Sequence, residues 1–237
     1  MPNPILIPRI AFSQPSGAVL PVFGGQVLWL KADALTLNNN DAVSSWTDSS
    51  GNGKDHAQAS GTKQPTFKTN QQNGKPGVSF DGTNDDLVSA SVPTTALVYS
   101  IFTVQKFTSA AGLQGLWRNG DGDGWVVYDN VGTRAILHRA VASLNDAAAT
   151  TNAEIWSAVR TSAPLAKFWV NGANQTISNS TSVPNAPSAF AILGAFSEAL
   201  GFYFGGLVFE VIVYDNALSD TDRGAVETYL NTKYAIF

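Results

Sequence analysis

Side chains able to do chemistry are sparse in this chain of 237 residues, and their spacing rejects most reactions one at a time. A retaining glycosidase needs two carboxyl groups about 5 Å apart, one as nucleophile and one as general acid. On a strand, that pair must sit at even spacing on one face. The four glutamates are Glu154, Glu198, Glu210 and Glu227; no two lie within five residues and none has an aspartate two positions away. A glucanase-type acid pair on one strand is therefore excluded. Elimination from a uronate needs a neutral His or Tyr base beside a guanidinium and an amide. Arg134 and His138 share one face of a run that also holds Arg139, and Tyr128 lies on the run before it. The same residues read equally as an ordinary strand histidine with solvated arginines.

Metal chemistry is limited by inventory. The chain has no cysteine and two histidines, His56 and His138, so thiolate and multi-histidine sites are ruled out. Calcium takes oxygen ligands from loops. Three acidic loops qualify: Asp48 with Asn52 and Asp55, Asp81 with Asn84, Asp85 and Asp86, and Asp121 with Asp123. None has the ligand order of an EF-hand. If calcium is held, Asp81, Asn84, Asp85 and Asp86 are the candidate ligands, having the highest acidic density. Otherwise these residues form turns, and no cofactor is expected.

Sugar recognition asks for aromatic faces that stack on rings and planar polar groups for hydroxyls. Leu116-Trp117-Arg118-Asn119-Gly120-Asp121-Gly122-Asp123-Gly124-Trp125 has that composition, with two tryptophans flanking a glycine-rich turn. Trp117, Arg118, Asn119, Asp121, Asp123 and Trp125 are the candidate glycan-binding residues. A competing reading makes Trp117 and Trp125 a cross-strand pair closing a hairpin. Trp156 and Trp169 sit inside strand patterns and are expected in the core.

The elements that must position these residues are β-strands. Charged residues make up 14% of the chain, against roughly 25% in an average soluble domain. Solubility then rests on Ser, Thr, Asn, Gln and Gly, which suit turns and strand faces better than surface helices. Runs rich in Val, Ile, Phe, Tyr and Trp predict strands over 27–33, 77–82, 99–107, 124–129, 134–140, 154–160, 166–172, 190–196 and 205–215. In the last, strict alternation puts Leu207, Phe209, Val211 and Val213 on one face and Val208, Glu210, Ile212 and Tyr214 on the other. Ser219 with Asp222 resembles a capping box, and Val226, Tyr229, Leu230 and Tyr234 come after it at helical spacing, which predicts a helix over 220–233. Residues 38–76 are polar and poor in strand signal; Trp46, Phe67, Gly51 and Gly53 point to an ordered loop pinned by aromatics. Residues 1–25 alternate proline with short apolar runs, as either a first strand packed on this chain or an arm docking into a neighbour.

The ordered set LWLKADAL, SSWTDSSGNGKDHAQA, NGKPGVSFDGTNDDL, FWVNG and the closing FGGLVFEVIVYDNALSDTDRGAVETYLNTKY resembles the laminin-G-like, concanavalin A-like jelly-roll domains of bacterial surface proteins and phage virion proteins. The resemblance covers residues 26–237. It implies an all-β fold, a two-sheet antiparallel jelly-roll sandwich with one C-terminal α-helix. Net charge is −4 with no basic run, so no nucleic-acid partner is expected. No stretch approaches the roughly 20 apolar residues of a membrane span. The N-terminus has no basic region or uninterrupted apolar run of a secretory leader. By analogy with the family, these features point to a non-catalytic virion component, whether decoration, fibre or tail-associated. Residues 1–25 would bind other virion proteins or a second copy, and the surface would meet cell-surface polysaccharide. The alternatives are a carbohydrate-binding module of a bacterial surface protein and, third, a polysaccharide-acting enzyme.

Overall fold

Turn chemistry and alternation decide where the strands lie, and two sheets result. The computed structural model describes residues 17–91, 93–94, 98–109, 112–120, 125–130, 133–138, 141–148, 150–161, 166–175, 177–178, 190–197 and 201–237. Among them, one sheet has eight strands. Its order runs Ala173–Gln175, Ala166–Val170, Ala153–Arg160, Tyr99–Phe107, Gly205–Tyr214, Lys75–Asp81 and Thr66–Gln72. The eighth, Gln26–Lys31, pairs with the far half of Gly205–Tyr214. The other sheet has eleven strands, with Val141–Ala148, Thr133–His138, Trp125–Asn130 and Leu113–Asn119 side by side. Pairing is antiparallel apart from a parallel contact of Tyr203 with Gly115. The all-β sandwich with a C-terminal helix, expected from the sequence, is the fold observed.

Between the sheets lies an aromatic core that includes Trp46, Phe80, Tyr99, Phe107, Trp117, Trp156 and Phe204. Each such ring removed from water contributes about 1.5–3 kcal/mol. A second apolar layer fills the space between the outer face of the eight-stranded sheet and the helix Asp220–Tyr234. That helix starts where its cap predicts: Ser219 Oγ accepts the Asp222 N–H at 3.1 Å. Val226, Tyr229, Leu230 and Tyr234 all face the sheet. Residues 17–25 form no strand. Leu20 and Phe23 pack against the same layer, and the Phe23 ring lies 6.4 Å from Tyr214. Residues 17–25 thus lie on their own domain, while residues 1–16 fall outside the described set.

The long polar stretch is ordered as its aromatics suggested. Trp46 and Phe67 are buried. Asp48 ties the loop together: Oδ1 accepts from the Trp29 and Ser50 N–H groups, each at 2.9 Å, and Oδ2 accepts from the Lys54 N–H at 3.1 Å. This stretch also contributes the strand Thr66–Gln72, which its polarity hid.

Two expectations fail on register. A β-bulge between Val208 and Glu210 breaks the alternation. Val208 therefore joins Val211 and Val213 in the inner core, while Leu207, Phe209, Ile212 and Tyr214 meet the outer layer. A bulge inserts one extra residue and re-aims the side chains beyond it, which no period-2 count can register. The tryptophan hairpin is also displaced. Trp117 stands opposite Val127, and Asn119 opposite Trp125, so the tryptophans are not a direct cross-strand pair.

Candidate functional site

The described residues of the segment 116–125 present no exposed aromatic face for a sugar. Trp117 is fully buried in the inter-sheet core, and an indole without exposed surface cannot stack on a ring in solution. Asn119 is buried too, its Nδ2 donating to the Thr94 carbonyl at 3.0 Å. Arg118 is half-buried and spent on backbone carbonyls, with Nε to Gly120 at 2.8 Å and one terminal nitrogen to Phe196 at 3.1 Å. Asp121, Asp123 and the Trp125 side chain lie outside the described residues.

The acidic loop at 81–86 closes on itself instead of opening toward a cation. Asp81 Oδ1 accepts from the N–H groups of Thr83, Asn84 and Asp85 at 2.8, 3.0 and 3.3 Å. Asp85 Oδ2 accepts from the Asp81 N–H at 2.9 Å, and Asp86 Oδ1 takes the Gln58 amide at 2.5 Å. Partial burial pushes the Asp81 pKa up, but the N–H groups of Asn84, Thr83, Asp85 and its own backbone outweigh it and hold the carboxyl below its usual value. Burial, then the charge of Asp81, lifts Asp85 to about 6. Asp81, Asn84, Asp85 and Asp86 thus serve as a turn, and no cluster of three metal-ligating side chains occurs among the described residues.

Two carboxylates do converge elsewhere, on Lys233. Its Nζ lies 2.9 Å from Asp33 Oδ1 and 2.8 Å from Glu210 Oε2. Glu210 is fully buried and saturated. Oε1 accepts from Trp29 Nε1 at 2.6 Å and Tyr229 OH at 2.9 Å, while Oε2 also takes Tyr234 OH at 2.8 Å. Burial, then the Glu210 charge, raises the pKa of both tyrosines. Four donors occupy both oxygens of the carboxylate and leave neither facing a substrate. The network fastens the helix to the sheet across the bulge; it does not form an acid–base pair.

A different place has the chemistry that sugars require. The ends of Lys75–Asp81 and Tyr99–Phe107, the start of Leu113–Asn119 and the short strand Gly201–Tyr203 meet around a cleft of about 400 Å3. Its walls include Phe202, Tyr203, Asp81, Gln114, Thr108 and Ser109. Gln114 braces it: Oε1 accepts the Gly205 N–H at 2.9 Å and Nε2 donates to the Ser109 carbonyl at 2.8 Å. Gly82 has φ of 76°, and a Cβ there would stand 3.2 Å from Gly205 Cα, so this wall needs glycine.

Phe202 is the distinguishing residue. It is a large apolar side chain 42% exposed, held at a left-handed φ of 61°, with its ring edge-on to Phe196 at 6.0 Å. A bulky residue at positive φ costs free energy that the surroundings must offset, and such positions cluster at ligand sites. Asp81 uses Oδ1 for its turn, leaving Oδ2 to accept hydroxyl protons. Sequence reasoning missed Phe202 and Tyr203, which precede the strand expected over 205–215 and belong to none of the motifs weighed for chemistry. The available signal was three aromatics held between glycines.

No protein-family model matches the chain, and no curated protein sequence matches it. Solved structures do match in fold. Domain 4 of AbnA, a GH43 extracellular arabinanase from Geobacillus stearothermophilus in complex with arabinotriose, aligns over 86% of this chain and 97% of its own, with a TM-score of 0.60 and 13% identity. The CBM40 of the Ruminococcus gnavus IT-sialidase bound to α2,3-sialyllactose covers 64% of this chain and 96% of its own, with a TM-score of 0.51 and 17% identity. Trypanosoma rangeli sialidase in complex with sialic acid matches over 91% of this chain but 34% of its own, with a TM-score of 0.58 and 18% identity. These similarities show the fold, a two-sheet antiparallel jelly-roll sandwich.

Proposed function

We propose that this domain is a carbohydrate-binding module whose ligand sits in the cleft of Phe202, Tyr203, Asp81 and Gln114. The observation that carries the reading is the exposed Phe202 ring beside an available carboxylate oxygen in a glycine-walled cleft. An apolar ring face with a few convergent polar groups is the usual composition of a saccharide site. Two similar structures, one in complex with arabinotriose and one bound to sialyllactose, support the class of ligand without naming this one. A binding role also suits the scarcity of acid–base pairs: of the two carboxylates on Lys233, Glu210 is fully hydrogen-bonded inside the fold.

Placement on a virion, expected from the sequence, gains no support from these similarities, and residues 17–25 rest on their own domain rather than reaching outward. The carbohydrate-module reading therefore stands first. A glycan array followed by titration calorimetry on the best ligand tests it. Phe202→Ala should weaken binding about tenfold, the loss of one aromatic contact. Asp81→Asn would disturb the turn as well, so Phe202→Ala is the cleaner variant. If a folded protein binds no oligosaccharide, or if Phe202→Ala binds as tightly as the parent, the assignment fails.

A further inference from the structure

The helix and residues 18–23 cover one half of the outer face of the eight-stranded sheet, and the other half is open. Register aligns Ala153, Lys106, Leu207, Ser79 and Thr66 as one row across five neighbouring strands. Lys68 comes after Thr66 at the next same-face position, opposite Gly77. Lys106 lies between Gln105 and Phe107, both buried on the inner side, so alternation turns its side chain outward. A depression of about 590 Å3 lies here, with Lys106, Lys68, Gln71, Ser79, Leu207 and Asn152 along its lining. It shares Thr108 with the aromatic cleft, and Gly205 of the one adjoins Gly206 of the other. The two make one continuous furrow.

Charge sets the second half of this furrow apart. The chain as a whole carries −4, yet no carboxylate lines this depression and two ammonium groups do. Lys68 Nζ donates to Asn40 Oδ1 at 2.7 Å, a neutral acceptor that leaves its charge uncompensated. Among the described residues no hydrogen bond or ion pair engages the Lys106 ammonium. Two uncompensated cations beside hydroxyl and amide groups match an oxyanion, to which hydrogen bonds are charge-assisted. Leu207 gives an apolar patch at the centre for the face of a sugar ring.

We propose that this open half-sheet is a subsite for an acidic sugar, so that the ligand is an oligosaccharide bearing a carboxylate or sulfate. An uncharged ring would lie against Phe202, and the acidic group would lie over Lys106 and Lys68. The inference rests on the glycan-binding reading and adds the class of ligand to it.

Calorimetry on the intact chain tests this with a matched set: an oligouronate, its neutral methyl ester, a sulfated oligosaccharide with its unsulfated parent, and single-stranded DNA. The acidic members should bind about tenfold tighter than their neutral counterparts, the worth of one charged hydrogen bond. High salt should erase most of that advantage. Lys106→Gln combined with Lys68→Gln should abolish the advantage and leave the neutral ligands unchanged, whereas Phe202→Ala should weaken all the sugars. The acidic sugar that loses more on the lysine substitutions identifies carboxylate or sulfate as the group read. Neutral ligands that bind as tightly as acidic ones, or an advantage that survives both lysine substitutions, would overturn the acidic subsite and leave the glycan reading intact. DNA bound as tightly as the acidic sugars would also overturn it, by showing a non-selective cation patch. Binding of no oligosaccharide by the folded protein would refute the glycan reading itself.

Discussion

His56 makes the stability of this domain depend on pH in a direction that can be worked out in advance. The imidazole is fully buried in the short strand His56–Ala57, paired with Trp46. Its Nδ1 lies 3.0 Å from the Lys54 carbonyl, which can only accept, so Nδ1 carries the proton. Nε2 is buried with no hydrogen-bond partner. A second proton would place charge and an unsatisfied donor in an apolar setting. Burial accordingly lowers the pKa to about 4, against smaller upward contributions from the Lys54 carbonyl and the carboxylates of Asp48 and Asp55. The unfolded chain titrates near 6.5. Between 6.5 and 4 the unfolded state binds more protons, so stability is flat above that window and falls as pH drops through it. From about pH 7.5 to about pH 4.5 the loss from this residue is about 2 to 3 kcal/mol. Asp85 opposes it: with its pKa raised to about 6, acidification relieves a penalty in an overlapping window. The wild-type slope is thus a difference, and the informative quantity is the slope of wild type minus that of His56→Gln. Urea denaturation at the two pH values, with m checked for constancy, yields that quantity. Parallel stability-versus-pH lines for the two proteins would refute the buried neutral histidine.

Other perturbations draw on the same geometry. Lys233→Met leaves Glu210 buried without its cation and should cost about 3–5 kcal/mol of stability by denaturant melts. Trp117→Ala, at a fully buried ring, should lower stability by about 3–5 kcal/mol while leaving the glycan affinity of the surviving folded fraction unchanged in calorimetry. Ser219→Ala removes the helix cap and should cost about 1 kcal/mol, read as a shift of the thermal midpoint. Because Asp81 Oδ1 and Asp85 Oδ2 accept backbone N–H groups of the 81–86 turn and Asp86 Oδ1 accepts from Gln58, treatment with a calcium chelator should leave the thermal midpoint unmoved.

Strand Tyr99–Phe107 and the helix from Asp220 were legible because their causes are local. Hydrophobic alternation, a Ser–Asp cap and a three-four spacing are properties of ten to fifteen consecutive residues. The ordered loop around Trp46 was legible too, from its aromatics and its glycines, whereas the bond from the Trp29 N–H to Asp48 joins residues nineteen positions apart. Strands Thr66–Gln72 and Val141–Ala148 were not legible: the first is polar, the second is rich in alanine with little β-branched or aromatic content, and it is pairing with neighbours that makes them strands.

The candidate site divides the same way. Composition and order of motifs determined the all-β sandwich, the closing helix and the scarcity of catalytic pairs. Tertiary structure alone decided which aromatics face water. Trp117 and Phe202 look alike in sequence, each a ring near glycines. The opposite sheet buries the first, and the left-handed backbone at the second turns its ring toward solvent. The bulge after Val208 likewise settled that Glu210 faces the helix together with Phe209. Exposure and register depend on residues a hundred positions away, and a single strand's pattern carries no record of them.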